Sequence, residues 1–349
     1  MAGDGQATTP GDSVVEGARP WWLFRGDGLV LDDEERDRRW PSPPPWRQFR
    51  GEPEVAVPPA DDVELNRRLG AKAIRRKADP AVVEMVNAAI TLARPLIVTG
   101  RPGSGKSTLA HLIAQELRLG PVLRWPITTK TTLNSGLYTY DAFGRAQALG
   151  AHENSGIGNF LHLGPLGTAL LPYNRPRVLL VDELDKSDVD LPNDLLTVFE
   201  DGEFPVFELL RVRDREPEVT VHTADLGYTA VVRDGIVRCR AFPIVIITSN
   251  GERDFPAPFL RRALTISMPD PDQDMLADMV AAHFRDGASD VAPDLIRLFA
   301  DHRDRKKELA ADQLLNAVHL ATSGAMPADD PEHWDQLLDR IWHRLGLGQ

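Results

Sequence analysis

The octapeptide Gly100-Arg101-Pro102-Gly103-Ser104-Gly105-Lys106-Ser107 restricts what this chain can fold into more than any other stretch. It has the form G-x-x-x-x-G-K-[ST]. An apolar run, Pro95–Thr99, precedes it. After it, Leu109, Leu112, Ile113 and Leu117 recur at helical spacing over Ser104–Leu117, and Gly120 is placed to end that helix. A glycine-rich turn between a buried strand and a helix lets backbone N–H groups close around phosphate oxygens, where the helix N-terminus adds positive potential. Lys106 is then expected to reach β- and γ-phosphates, and Ser107 to ligate Mg2+. Gly100, Arg101, Pro102, Gly103, Ser104, Gly105, Lys106, Ser107 and Thr108 form the candidate nucleotide-binding set.

The next informative segment is Val178-Leu179-Leu180-Val181-Asp182-Glu183. Four apolar residues read as a strand buried on both faces, and they deliver two carboxylates at its C-terminal end, where open α/β sheets bind ligands. Asp182 is expected to hold Mg2+ through water, and Glu183 to orient and polarise an attacking water. Phosphoryl transfer needs mainly positioning and charge neutralisation, so these groups suffice with one further cation. Ile244–Ile247 is another wholly apolar strand, running into Thr248-Ser249-Asn250. If it lies beside the other two, Asn250 reaches the γ-phosphate or the water; otherwise it is a strand-ending cap. Arg261 and Arg262 follow shortly afterwards. They suit an arginine finger that completes a neighbour's site, or else a surface ion pair.

Around these motifs the chain divides into an arm, 1–60, a nucleotide-binding region, 61–270, and a purely helical tail, 271–349. In the arm, 1–19 is polar and expected to be disordered. Four of the seven tryptophans (Trp21, Trp22, Trp40 and Trp46) then fall among prolines and charges. They read as a docking segment or as aromatics packed on the chain's own core. Phe204–Arg213 and Tyr228–Arg240 read as short strands, with Asp234-Gly235 as a hairpin turn. The segment 128–176 is too long for an idle connection.

The bulk composition excludes several classes. A net charge of -12 argues against a general nucleic-acid or anionic-membrane binder. A single cysteine, Cys239, rules out an internal disulfide framework and fits a reducing, cytoplasmic setting; the residue itself reads as a buried apolar side chain rather than a reactive thiol. No apolar run reaches the length of a membrane span, and the N-terminal residues lack the apolar core of a signal peptide.

Taken together, these motifs resemble the AAA+ ATPases, and within them the MoxR-like ATPases. The order is Walker A (Gly100–Ser107), Walker B (Val178–Glu183), sensor 1 (Asn250) and the arginine finger, with Leu163-Gly164-Pro165-Leu166-Gly167, Asp185–Glu203 and Thr248–Arg253 also similar to the family. The resemblance spans roughly 94–271. It implies an α/β fold: a P-loop NTPase (AAA+) αβα core with a parallel sheet, followed by a small all-helical lid. It implies ATP and Mg2+ as ligands, a homo-oligomeric ring, expected to be a hexamer, and a protein client. The family works with von Willebrand factor A-type partners, which here would have to be a separate chain. Arg262 aligns best with the finger position and Arg261 second. Inserts typical of the family correspond to 133–170 and 204–240, where Tyr138, Tyr140 or 152–159 would line a pore, although the two tyrosines also read as packing residues. The family's lid arginine has no clean counterpart; Lys306 or Lys307 is the nearest substitute. Three functions are consistent with these residues: an ATP-driven remodeller of a partner, an ATP-controlled assembly switch of a bacterial defence or conflict system, and a small-molecule kinase. The arginine pair, which has no role in a kinase, disfavours the third.

Overall fold

The computed structural model describes residues 19–70, 78–151, 156–284, 292–306, 309–323 and 331–342. Its centre is a five-stranded, wholly parallel sheet of β1 (Leu96–Thr99), β2 (Leu123–Pro126), β3 (Val178–Asp182), β4 (Ile244–Ser249) and β5 (Leu264–Ser267), in the order β5-β1-β4-β3-β2. The three inner strands are the three apolar runs of the sequence. Their alternate residues point to opposite faces, as the two-residue period of a strand requires. Leu96, Val98, Val178, Leu180, Ile244 and Ile246 pack on one side, and Ile97, Leu179, Val181, Val245 and Ile247 on the other.

The first of these faces is covered by α1 (Pro80–Leu92) and α2 (Lys106–Glu116). Pro80 opens α1 at a position where its missing N–H costs nothing, and Asp79 caps it by accepting from Ala81 N–H. The other face is covered by α3 (Leu191–Asp201) and by a second, six-stranded sheet. That sheet collects Tyr138–Tyr140, Leu161–Leu163, Glu218–His222, Thr229–Arg233, Ile236–Arg238 and Glu203–Pro205 from the two inserted regions. Asp234 (φ 53) and Gly235 (φ 71) form the expected tight turn. The reading of 204–213 as one strand is corrected: the strand stops at Pro205, and Phe207–Leu210 is a short helix. Leu209 of that turn is buried, so its apolar residues serve a helix rather than a sheet face. Tyr138 is buried and stacks on Phe204, with ring centroids 6.3 Å apart, which removes it from the candidate pore residues. Of the candidate pore stretch 152–159, residues 152–155 lie outside the described residues, while Ile157 and Gly158 are buried on a single 3-10 turn.

Among the described residues the tail forms four helices: α4 (Gln273–His283), α5 (Ala292–Lys306), α6 (Ala311–Thr322) and α7 (Pro331–Ile341). They share their own core, in which Phe299 meets Trp342 edge-on with centroids 5.5 Å apart. No helix among the described residues is long and apolar enough to cross a membrane.

The tryptophan-rich arm joins the core. Trp22, Leu23, Phe24 and Leu31 are buried in the cluster that contains β1, α1 and α2. Burying each such side chain contributes about 1.5–3 kcal/mol. Two buried polar residues fix the arm's backbone. Asn87 Oδ1 accepts from Leu23 and Phe24 N–H at 2.6 and 3.0 Å, while its Nδ2 donates to Phe24 O at 2.7 Å. Glu116, fully buried at the end of α2, accepts from Arg25 and Gly26 N–H, and its carbonyl accepts from Leu31 N–H at 2.8 Å. Further on, the buried Arg47 donates to Ala93 O at 2.9 and 3.1 Å and to Glu200 O at 3.2 Å, and stacks over Phe242. Trp46 beside it is exposed.

Burial pushes the Glu116 carboxyl up from 4.5 to about 8, against the pull of the backbone N–H groups. The folded chain therefore holds this proton more tightly than the unfolded chain. The stability tied to it is full below pH 4.5 and is lost as pH rises through 8. Glu116→Gln keeps an acceptor for the arm and removes the charge. Its Tm relative to wild type should accordingly be higher at pH 8.5 than at pH 5, as read by thermal melts at both values. Equal differences would show that the buried charge is not felt.

Candidate active site

The site lies at the C-terminal ends of β1, β3 and β4. β1 leads into Gly100 (φ 146), and the loop turns through Gly103 (φ 78) and Gly105 (φ 86) before α2 begins at Lys106. These left-handed angles are readily available to glycine alone. Lys106 is largely buried, and its Nζ donates to the carbonyls of Gly100 and Arg101 at 2.7 and 2.8 Å. Burial lowers its pKa, opposed by the charges of Asp185, Glu183 and Asp182.

Asp182, the last residue of β3, is the hub. Its Oδ1 accepts from Ser107 Oγ at 2.7 Å and from Thr248 Oγ1 at 2.9 Å; its Oδ2 accepts from Arg124 Nη2 at 3.1 Å. Burial works to raise this carboxyl, but the Ser107 and Thr248 hydroxyls and the Arg124 guanidinium together hold it below the ordinary carboxylate value. Glu183 follows in a left-handed conformation (φ 63, ψ 51), a costly backbone for a non-glycine residue. Its N–H donates to Thr248 Oγ1 at 2.8 Å. Its carboxylate accepts from Lys186 Nζ at 2.8 Å and from Asn250 Nδ2 at 3.3 Å. At half-exposed Lys186 the hydrogen bond it donates to Glu183 raises the pKa, and burial counts less.

The structure thus brings Lys106, Ser107, Asp182, Glu183 and Asn250 together. It does not bring Arg261 or Arg262 to them. Arg262 lines a hollow with Arg94 and Pro95 at the N-terminal end of β1, and Gly100 is at the opposite end. Four extended residues separate those ends by roughly 13 Å. Arg262 Nε pairs with Glu200 Oε1 at 2.8 Å with both side chains half exposed, and the carbonyl of Arg261 accepts from Arg94. Arg101 is on the rim, paired with Asp270 at 2.9 Å.

Arg124, Thr248, Asp185 and Lys186 are absent from the sequence candidates. Arg124 gives no sequence signal, since a cation in a short strand has no partner until the strand order is known. Lys186, three residues after Glu183, was open to spacing alone.

Ser107 and Asp182 offer a hydroxyl and a carboxylate oxygen side by side. Such hard oxygen donors suit Mg2+, which takes one or two carboxylates together with substrate phosphates. The lid closes over the loop. A Cβ on Gly103 would lie 2.5 Å from Ala310 Cα and 2.6 Å from Ala311 N, at the start of α6. Lys307 lies outside the described residues, as does the side chain of Lys306.

A parallel sheet in this order, with a glycine-rich loop after β1 and a carboxylate pair after β3, defines an AAA+ P-loop fold with an α/β core and a helical C-terminal part. In agreement, residues 95–263 match the family model of the AAA domain, dynein-related subfamily, so the chain carries an AAA domain there. No curated protein matches the sequence. Among solved structures, the chain is similar to NtrX from Brucella abortus in complex with ADP, at 16% identity and a TM-score of 0.35. The match covers 77% of this chain and 56% of NtrX, so the chain spans little more than half the length of that protein.

The two loop glycines should respond differently to substitution. At Gly105 an added Cβ meets only Met268 Cε, at 4.0 Å, so Gly105→Ala carries only the left-handed backbone cost, about 1–2 kcal/mol. Gly103→Ala carries that cost and also the collision with the lid backbone. Its urea midpoint should fall clearly further. Equal midpoints would mean the lid does not rest on the loop in solution.

Proposed function

We propose that the chain binds Mg·ATP and hydrolyses it as an oligomeric, MoxR-like AAA+ ATPase that remodels a partner protein. The observation carrying this reading is the convergence of Lys106, Ser107, Asp182, Glu183 and Asn250 on one end of the sheet while Arg262 stands exposed at the other. A site whose groups converge at one end of the sheet, on a subunit that holds Arg262 in a half-exposed surface pair with Glu200 at the other end, is suited to head-to-tail assembly in a ring.

In this mechanism the loop N–H groups and Lys106 hold the phosphates. Ser107 and Asp182 would hold Mg2+, which would supply neutralisation of phosphate charge. Glu183 orients the lytic water, with Asn250 fixing the free side of its carboxylate. Arg262 of one subunit meets the nucleotide of the next. The client is a separate protein, and a von Willebrand factor A-type partner is the candidate that the MoxR resemblance supplies. One observation favours the slower alternative, an ATP-controlled assembly switch: the Lys186 ammonium occupies one Glu183 carboxylate oxygen at 2.8 Å, an oxygen that would otherwise be free to take the water.

Glu183→Gln should keep ATP binding and lower phosphate release by at least about 100-fold. Arg262→Ala subunits mixed into wild type should depress activity more steeply than dilution predicts. A linear fall on mixing would refute shared sites, whereas undiminished turnover in Glu183→Gln would refute the hydrolytic mechanism itself.

A further inference from the structure

Asp185 has no part in the mechanism above, yet it is more deeply buried than Asp182 or Glu183. It lies on the single 3-10 turn Leu184–Lys186, two residues after Glu183, and is 4% exposed. Its Oδ2 accepts from Asn250 N–H at 2.8 Å and from Glu252 N–H at 3.1 Å. Both donors lie just past the end of β4, where the ladder to β3 has stopped and no strand can take them. Gly251 between them is left-handed (φ 78), so the chain turns back and aims both N–H groups at one acceptor. Oδ1 has no hydrogen-bond partner among the described residues. The carboxylate is therefore spent on the backbone of the sensor 1 turn.

That staple joins two segments that must agree in position. The side-chain bond between Asn250 Nδ2 and Glu183 Oε1 is 3.3 Å, longer than the backbone bond from Asn250 to Asp185. The short bond sets where Asn250 stands, and the long one depends on it. A second link, from Arg253 Nη1 to Ser187 O at 2.8 Å, runs between the same two segments but carries no group to Glu183.

We infer that Asp185 is a positioning residue for ATP hydrolysis: by accepting both N–H groups of the turn after β4 it fixes the Asn250 amide against Glu183. The inference rests on the ATPase reading and adds a residue to it. Asp185 touches neither nucleotide nor water in this account. Its loss should slow the chemical step and leave nucleotide binding alone. Asparagine keeps one carbonyl oxygen able to accept both N–H groups, with its NH2 in place of the unpartnered Oδ1, so it should stand in for aspartate. Alanine leaves two N–H groups unpaired.

Steady-state ATP turnover and binding of the fluorescent analogue mant-ADP should be measured for wild type, Asp185→Ala, Asp185→Asn, Asn250→Ala and the double variant Asp185→Ala/Asn250→Ala. The expected result is a fall in kcat of about tenfold or more for Asp185→Ala, with mant-ADP affinity kept. Asp185→Asn should retain most activity. In the Asn250→Ala background, Asp185→Ala should cost nothing further, because the residue acts through Asn250. Unchanged kcat in Asp185→Ala, or additive losses in the double variant, would overturn the inference. If Asp185→Ala does not fold, Asp185→Ser replaces it; a fold that survives only with asparagine would show the carboxylate holding the fold rather than the sensor, and would also overturn it. A wild-type chain that binds mant-ADP without turning over ATP sinks the ATPase reading and this inference together. A wild type that turns over beside an unaffected Asp185→Ala sinks the inference alone.

Discussion

One carboxylate, Asp182, organises this molecule. Three segments distant in sequence reach it at the end of β3: Ser107 from the start of α2, Arg124 from β2 and Thr248 from β4. An ionised carboxylate this buried is tolerable only when its oxygens are satisfied and its charge answered. Two hydroxyls and a guanidinium do both. The requirement reaches outward. Ser107 can arrive only if the glycine loop turns as it does, and Thr248 only if β4 pairs beside β3. Arg124 can arrive only if β2 closes the sheet on the far edge. The strand order and the site are thus two descriptions of one electrostatic solution.

A second layer surrounds this hub. Thr248 donates to Asp182 and accepts from the backbone of Glu183, so the strained left-handed residue is held from behind. Glu183 and Asp185 lie on either side of Leu184, and each reaches the turn after β4, one through a side-chain amide and the other through backbone N–H groups. Acidic residues that look alike in the sequence have separate duties here. Asp182 gathers strands, Glu183 faces the reaction space, and Asp185 is consumed by backbone.

Much of this was legible because the central strands are buried on both faces and so are written as unbroken apolar runs. The glycine loop was legible because phosphate binding demands a fixed spacing. What escaped notice lies at edges. Leu264–Ser267 alternates apolar and polar residues over only four positions, the mark of a half-covered edge strand, and nothing local separates it from a loop. Strands such as Leu161–Leu163 exist only because distant segments pair with them. The misread end of 204–213 shows the same limit, since an apolar turn of helix and a short strand have one composition. Arg124 and Asp185 are of this kind too: their meaning comes from partners 58 and 65 residues away.

The strapping of the arm has a consequence for where this protein can be cut. The AAA match begins at residue 95, but the apolar flank of α2 does not end its contacts there. Leu109, Ile113 and Leu117 share a cluster with Trp22, Leu23 and Phe24, and the terminal carbonyls and carboxylate of α2 are answered by residues 25–36. A fragment trimmed to the catalytic motifs would bare a greasy helix face and strand a buried acid without its donors. A self-supporting fragment therefore has to include residues 22–36 ahead of the residues that match the AAA domain.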